Sequence, residues 1–215
     1  MPQKDLPSVE GKKKHFTMLR SLALADLLTL GNAACGMVSI LMCLRGLQSR
    51  DAGLLWTAIS LLPVALVLDF LDGFVARWRR RSSYLGADLD SLADIVSFGV
   101  APAVLGYALG MRGFWDMLIL VIFVTCGIAR LARYNATMEE LQNEKGKVEY
   151  YEGTPIPTSL VLVGVMAIAF GMDAVDNDLW FGVYSVIGAD FHPLSLMFLL
   201  SGSAMVSGTL KIPKP

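Results

Sequence analysis

Charge is scarce in this chain. Of its 215 residues only 17% are charged, while 54% are hydrophobic and the mean hydropathy is +0.55. A soluble domain of this length normally carries about 25% charged residues. The net charge of −1 argues against a general nucleic-acid binder, so no nucleic-acid partner is expected. Cysteine is sparse and odd in number. Cys35, Cys43 and Cys126 all lie inside apolar stretches without metal-ligand spacing, and read as reduced packing residues. The two histidines, His15 and His192, stand apart, at or beyond the ends of those stretches, which suggests neither a catalytic triad nor a zinc site. No internal repeat is visible, which weakens a transporter assembled from duplicated halves.

What the chain has instead is long apolar blocks, at roughly 22–45, 53–76, 91–111, 114–136, 156–174 and 192–210. Blocks of about 20 residues match a hydrocarbon layer of about 30 Å. The expected fold is an all-α integral membrane protein with six transmembrane helices in the lipid bilayer. The basic N-terminus ahead of the first block resembles a signal peptide, but five further blocks follow and the segment reads as retained. With that N-terminus in the cytosol, fifteen of the eighteen Lys and Arg residues fall on the cytosolic side. Arg45, Arg50 and Arg112 are the exceptions. Both termini are then cytosolic. Residues 1–17 read as a charged, flexible tail, and residues 18–215 as one six-helix domain.

One stretch resists this apolar reading. DFLDGFVARWRRRSSYLGADLDSLAD, residues 69–94, places Asp69, Asp72, Asp90 and Asp94 at the mouths of two hydrophobic blocks. At 100° per residue, Asp69, Asp72, Gly73, Ala76 and Arg77 share about 140° of one helix. Gly86, Asp90 and Asp94 recur every fourth residue on the next helix, with Ser97 one turn deeper. An antiparallel pair turning near residue 81 sets Asp72 opposite Asp90, Asp69 near Asp94 and Ala76 opposite Gly86. A polar metal-binding cavity at the cytosolic face is the expected result. A single carboxylate costs about 2.5–3.5 kcal/mol at the bilayer centre and less near its edge, yet four together repel one another. Arg77 is the one basic residue on the stripe, while Arg79, Arg80 and Arg81 fit better as lipid-facing anchors. Divalent metal resolves the repulsion. Mg²⁺ or Mn²⁺, two ions in all, would take carboxylate oxygens and leave positions for phosphate. The small residues let the helices approach closely and leave a slot for a flat base or a phosphate.

Written as D-x2-D-G-x2-A-R-x8-G-x3-D-x3-D, residues 69–94 resemble the signature of the CDP-alcohol phosphotransferase family, with every fixed position filled. The resemblance implies a six-helix membrane enzyme, usually homodimeric, that displaces CMP from a CDP-linked donor with an alcohol. It implies Asp69, Asp72 and Asp90 as metal ligands and Asp94 as the general base, with Asp94 also a candidate ligand. Gly73, Ala76, Arg77 and Gly86 would line the cytidine and pyrophosphate pocket, and Asn32 would reach it from the first helix. A hydroxyl needs a positioned carboxylate to take its proton during attack. The motif offers no covalent nucleophile, so direct transfer is expected.

The acceptor is read from other stretches. LADLLTLGNAACG (24–36), SFGVAPA (97–103), GIARLARYNAT (127–137) and YYEGTPIPTSL (150–160) resemble the fungal-type phosphatidylserine synthase branch of that family. The resemblance implies CDP-diacylglycerol and L-serine as substrates. Arg130, Arg133 and Tyr134 then become candidates for the serine carboxylate or the lipid phosphate, since a guanidinium grips such groups in bidentate fashion. Ser97 either touches the acceptor or packs. The stretch 138–152 reads as a solvated connection in preference to a lid. Phosphatidylinositol and phosphatidylglycerophosphate synthases are the near alternatives, and an intramembrane prenyltransferase is a remote one. The fungal-like stretches point to the endoplasmic reticulum membrane, with a bacterial inner membrane as the other option and the active site facing the cytosol.

Overall fold

A computed structural model describes residues 24–79, 84–144, 150–207 and 211–213. The expected tail at 1–17 and the turn near residue 81 lie outside them. The chain is mostly helical. Helix α1 (Leu24–Ser49) leads into α2 (Ala52–Arg79). Helix α3 (Tyr84–Asp94) continues through a π-helical segment (Ile95–Val100) into α4 (Ala101–Leu109). Helix α5 (Phe114–Glu144) follows, then β1 (Tyr150–Glu152) and α6 (Leu160–Gly171). A hairpin of β2 (Tyr184–Val186) and β3 (Ala189–Phe191) precedes α7 (Leu196–Val206), and β4 (Lys211–Pro213) comes last.

Four stretches are long and apolar enough to cross a membrane: Leu24–Ser49, Ala52–Trp78, Gly86–Leu109 and Phe114–Thr137. Among the described residues there are also two shorter apolar helices, Ile156–Gly171 and Pro193–Val206. Packing in α1 is inverted relative to a soluble helix. Its buried residues are Thr29, Asn32, Gly36, Ser39, Cys43 and Gly46, whereas Leu27, Leu30, Met37, Leu41 and Leu44 are exposed. Small and polar side chains face protein and large apolar ones face outward, the pattern expected when the surroundings are lipid. Ser39 makes use of this close approach, its Oγ donating to the Ala58 carbonyl of α2 at 2.9 Å.

The π-helical segment has a local cause. Pro102 has no N–H to give the Phe98 carbonyl, and the register widens so that the Ala101 N–H reaches the Val96 carbonyl. Asp94 thereby ends a regular helix while Ser97, Phe98 and Gly99 are buried just beyond it.

Two small antiparallel sheets depart from the all-α expectation. One pairs β2 with β3, around Ile187 (φ 52°) and Gly188 (φ 76°), a two-residue turn whose positive φ values suit a hairpin. The other pairs β1 with β4. Helix α5 also runs past the expected end at 136 to Glu144, so part of the expected connection is helical.

Candidate active site

Helices α2 and α3 bring their carboxylates together. Ligand atoms of Asp69, Asp72 and Asp90 all lie within 4.8 Å of one another, and the Asp69 and Asp94 carboxyls are in contact. Asp72 and Asp94 are buried, at 5% and 7% exposure. The second layer comes from α1, where Thr29 and Asn32 are one turn apart. Thr29 Oγ1 stands 2.6 Å from Asp72 Oδ2, as donor, and 3.1 Å from the Ala25 carbonyl. Asn32 Nδ2 donates to Asp94 Oδ1 over 3.4 Å, and Asn32 Oδ1 is buried without a partner. A buried amide oxygen with nothing to accept from costs free energy unless a ligand supplies a donor.

Gly73 faces space. A Cβ placed there would meet nothing within 4 Å, which leaves room for a bound group beside Asp72. Arg77 is exposed, with its Nε donating to the Gly73 carbonyl at 3.1 Å. Ala76 and Gly86 are half-buried on either side of the turn that lies outside the described residues.

Beside the carboxylates is a cavity of about 360 Å³. Asp69, Asp90, Ser91 and Asp94 line one wall; Arg130, Leu131, Tyr134 and Asn135 of α5 line another; Gly153, Pro155 and Pro157 close a third. The Arg130 guanidinium lies 5.5 Å from the centre of the Tyr134 ring. Ser91 and Asn135 bridge the first two walls, with Asn135 Nδ2 3.0 Å from Ser91 Oγ and Ser91 Oγ 3.3 Å from Asn135 Oδ1. The third wall is fixed from behind. A Cβ on Gly153 (φ 76°) would collide with the Met205 carbonyl, and the Thr154 N–H donates to the Ala204 carbonyl at 3.2 Å.

Two of the acceptor candidates do not line this cavity. Ser97 is fully buried and its Oγ donates to the Asn32 backbone carbonyl at 2.9 Å, so it packs and does not line the cavity. The reason is proximity to α1, because a Cβ on Gly36 would lie 2.5 Å from that same Oγ. Arg133 is half-buried on α5 but is not among the cavity-lining residues. Three features escaped the sequence reading: the Thr29 bond to Asp72, the Ser91–Asn135 bridge and the Gly153–Pro157 wall. Thr29 and Asn32 are polar and three residues apart in an apolar stretch, which was the available signal.

His192 is not isolated in the fold. Its Nδ1 lies 2.6 Å from Asp116 Oδ2, and its backbone N–H donates to Asp116 Oδ1 at 2.9 Å. The Gly113 N–H adds a third bond to Asp116 Oδ2 at 3.1 Å. Ser195 Oγ donates to the His192 carbonyl, at 2.7 Å, and not to the ring, so no triad forms. This pair is remote from the cavity. Fourteen residues of α5 separate Asp116 from Arg130, about 21 Å of helix.

Hard oxygen ligands without His or Cys suit Mg²⁺ or Mn²⁺ better than zinc. The clustered carboxylates, the unpartnered Asn32 oxygen and the open space at Gly73 all fit a divalent ion carrying a phosphate-bearing ligand.

Comparison with known proteins finds relatives along most of the chain. A CDP-diacylglycerol–serine O-phosphatidyltransferase of Saccharomyces cerevisiae is 42% identical over 214 residues, covering 98% of this chain and 78% of the relative. An archaetidylserine synthase of Methanothermobacter thermautotrophicus is 33% identical over 185 residues, 85% of this chain and 68% of the relative. A CDP-diacylglycerol–serine O-phosphatidyltransferase of Mycobacterium bovis is 35% identical over 153 residues, 69% of this chain and 51% of a longer relative. The sequence model of the CDP-alcohol phosphatidyltransferases matches residues 22–199, which include all four aspartates, and the chain belongs to that family.

Proposed function

We propose that this protein transfers the phosphatidyl group of CDP-diacylglycerol to the hydroxyl of L-serine, giving phosphatidylserine and CMP. The observation that carries the reading is that one cavity is lined both by Asp69, Asp90 and Asp94 of the acidic cluster and by the Arg130–Tyr134 pair, so a metal-bound donor and an acceptor carrying a carboxylate can meet there. The relatives differ in the lipid their names describe and share serine.

In this reading Asp69, Asp72 and Asp90, with Asp94, hold Mg²⁺ or Mn²⁺, which supplies positive charge to the pyrophosphate. Asn32, Gly73, Ala76, Arg77 and Gly86 shape the CDP pocket. Asp94 takes the proton of the serine hydroxyl as its oxygen attacks the phosphorus bearing the lipid. The new oxygen–phosphorus bond forms as the bond to the CMP oxygen breaks, and CMP leaves as the phosphate monoester. Catalysis rests on positioning and electrostatics and needs no covalent enzyme intermediate. Arg130 orients the serine carboxylate, with Tyr134 packed on the guanidinium and Arg133 reserved for a phosphate at the interface.

The charge bias of the sequence supports six spans with both termini in the cytosol and the cavity on that side. Residues 18–215 then form one catalytic domain and 1–17 a tail. Fungal resemblance supports the endoplasmic reticulum membrane, and family resemblance supports a homodimer. The test is CMP release from CDP-diacylglycerol in detergent with Mn²⁺ or Mg²⁺, comparing L-serine, myo-inositol and glycerol 3-phosphate. Release with serine alone is the expected result. Release with inositol or glycerol 3-phosphate alone would keep the metal site and overturn the acceptor.

A further inference from the structure

Serine differs from other small alcohols by carrying an ammonium beside a carboxylate, and the cavity has a group placed for each charge. Arg130 suits the carboxylate. The ammonium needs oxygen acceptors that are not already committed. Asp69, Asp72 and Asp90 face one another within 4.8 Å and serve the metal in the reading above, while Asp94 is committed to the hydroxyl proton. On the third wall the Pro155 carbonyl already accepts from the Thr158 N–H at 3.1 Å and the Thr158 hydroxyl at 2.7 Å. The bridge between the other two walls offers two further oxygens, set between Asp94 and Tyr134 along the chain.

We infer that Ser91 and Asn135 form the ammonium subsite and set the preference for an amino-acid acceptor. Both residues line the cavity, and between them they hold two side-chain oxygens that each keep a lone pair. An amide oxygen and a hydroxyl oxygen each have two lone pairs. Within the bridge Ser91 Oγ accepts from Asn135 Nδ2 at 3.0 Å, and Asn135 Oδ1 accepts at most the Ser91 hydroxyl hydrogen at 3.3 Å. An uncharged acceptor pair has a specific advantage here, since a fifth carboxylate would compete for the metal. Position fits the role as well. Ser91 is one turn before Asp94 on α3, and Asn135 follows Tyr134 on α5, so the bridge spans the gap between the proposed base and the carboxylate clamp. A site that recognises a charged group by paired hydrogen bonds rejects the analogue lacking it, because its own polar groups are then left unpaired.

This inference rests on the serine reading. The experiment measures CMP release by the full-length protein for wild type, Asn135→Ala, Ser91→Ala and Ser91→Thr, varying serine and CDP-diacylglycerol separately. Inhibition by 3-hydroxypropionate, which keeps the hydroxyl and carboxylate but lacks the ammonium, is measured in parallel. Asn135→Ala and Ser91→Ala should raise the KM for serine about tenfold, the loss of roughly one hydrogen bond to a charge. The KM for CDP-diacylglycerol and the inhibition constant of 3-hydroxypropionate should stay within about twofold of wild type, and Ser91→Thr should restore serine binding. A purely structural bridge would shift all of these constants together. That outcome overturns the inference, as does an unchanged serine KM in both alanine variants. Wild-type protein that turns over another alcohol and not serine would overturn the serine reading first and this inference with it.

Discussion

A single buried aspartate and a cluster of four, two of them buried, occupy opposite ends of this fold, and they are treated differently. Asp116 is closed off: three donors, two of them backbone N–H groups, converge on one fully buried carboxyl. The cluster at Asp69, Asp72, Asp90 and Asp94 is left open. Thr29 and the Gly73 backbone reach Asp72, Asn32 reaches Asp94 over a long 3.4 Å, and Asp69 and Asp90 line the cavity beside them. A carboxylate that only has to hold a fold together is surrounded by protein donors. One that has to hold something else is kept short of them.

The sharpest way to break this comparison is to exchange the consequences. Asp94→Asn should lower CMP release by about 10²–10⁴-fold, the range expected on losing a general base, while the folded protein remains. Asp116→Ala should do the reverse. It leaves the His192 and Gly113 N–H groups without their acceptor, at about 1–3 kcal/mol for each buried donor, so thermal stability falls while the surviving enzyme keeps its kcat. Stability curves and turnover measured side by side decide it, and a stable, active Asp116→Ala would sink the contrast.

Thr29→Val probes the layer behind the cluster. It removes the hydroxyl from Asp72 at nearly constant volume, and should weaken activation by Mn²⁺ about 10–100-fold, as loss of a group orienting a metal ligand does. The readout is the metal concentration for half-maximal activity, which a role confined to packing would leave unmoved.

The smallest effect separates two glycines. Gly36→Ala pushes a methyl against Ser97 Oγ, 2.5 Å away, and should cost about 1–3 kcal/mol of stability through overpacking. Gly73→Ala meets no protein atom and should leave stability unchanged, yet raise the KM for CDP-diacylglycerol because the methyl enters the space kept for substrate. Equal stability losses in the two variants would count against that vacancy.

Much of this was legible in the sequence. The i, i+3 spacing of Asp69 and Asp72 and the i, i+4 spacing of Asp90 and Asp94 place four carboxylates on two facing stripes because helical geometry is fixed by the backbone. Hydrophobic length reveals the four long helices for the same reason. Ser97 was harder, since the stripe it shares with Asp94 is interrupted by the π-helical segment that Pro102 provokes one turn later. The β2–β3 hairpin was hidden because its turn uses Ile187 and Gly188 where Asn-Gly would have announced it. The Ser91–Asn135 bridge joins residues 44 apart, and no local pattern announces a contact of that kind.

The seat of Gly153 and Thr154 on Met205 and Ala204 has a consequence for how the protein is made. The third wall of the cavity is supported by the last turn of α7, so α1 to α6 can be inserted and packed while the pocket is still open on one side. The aspartates are in place early in synthesis, but an enclosed site exists only after the final helix has joined the bundle. A nascent chain would thus be kept from chemistry until its assembly is complete.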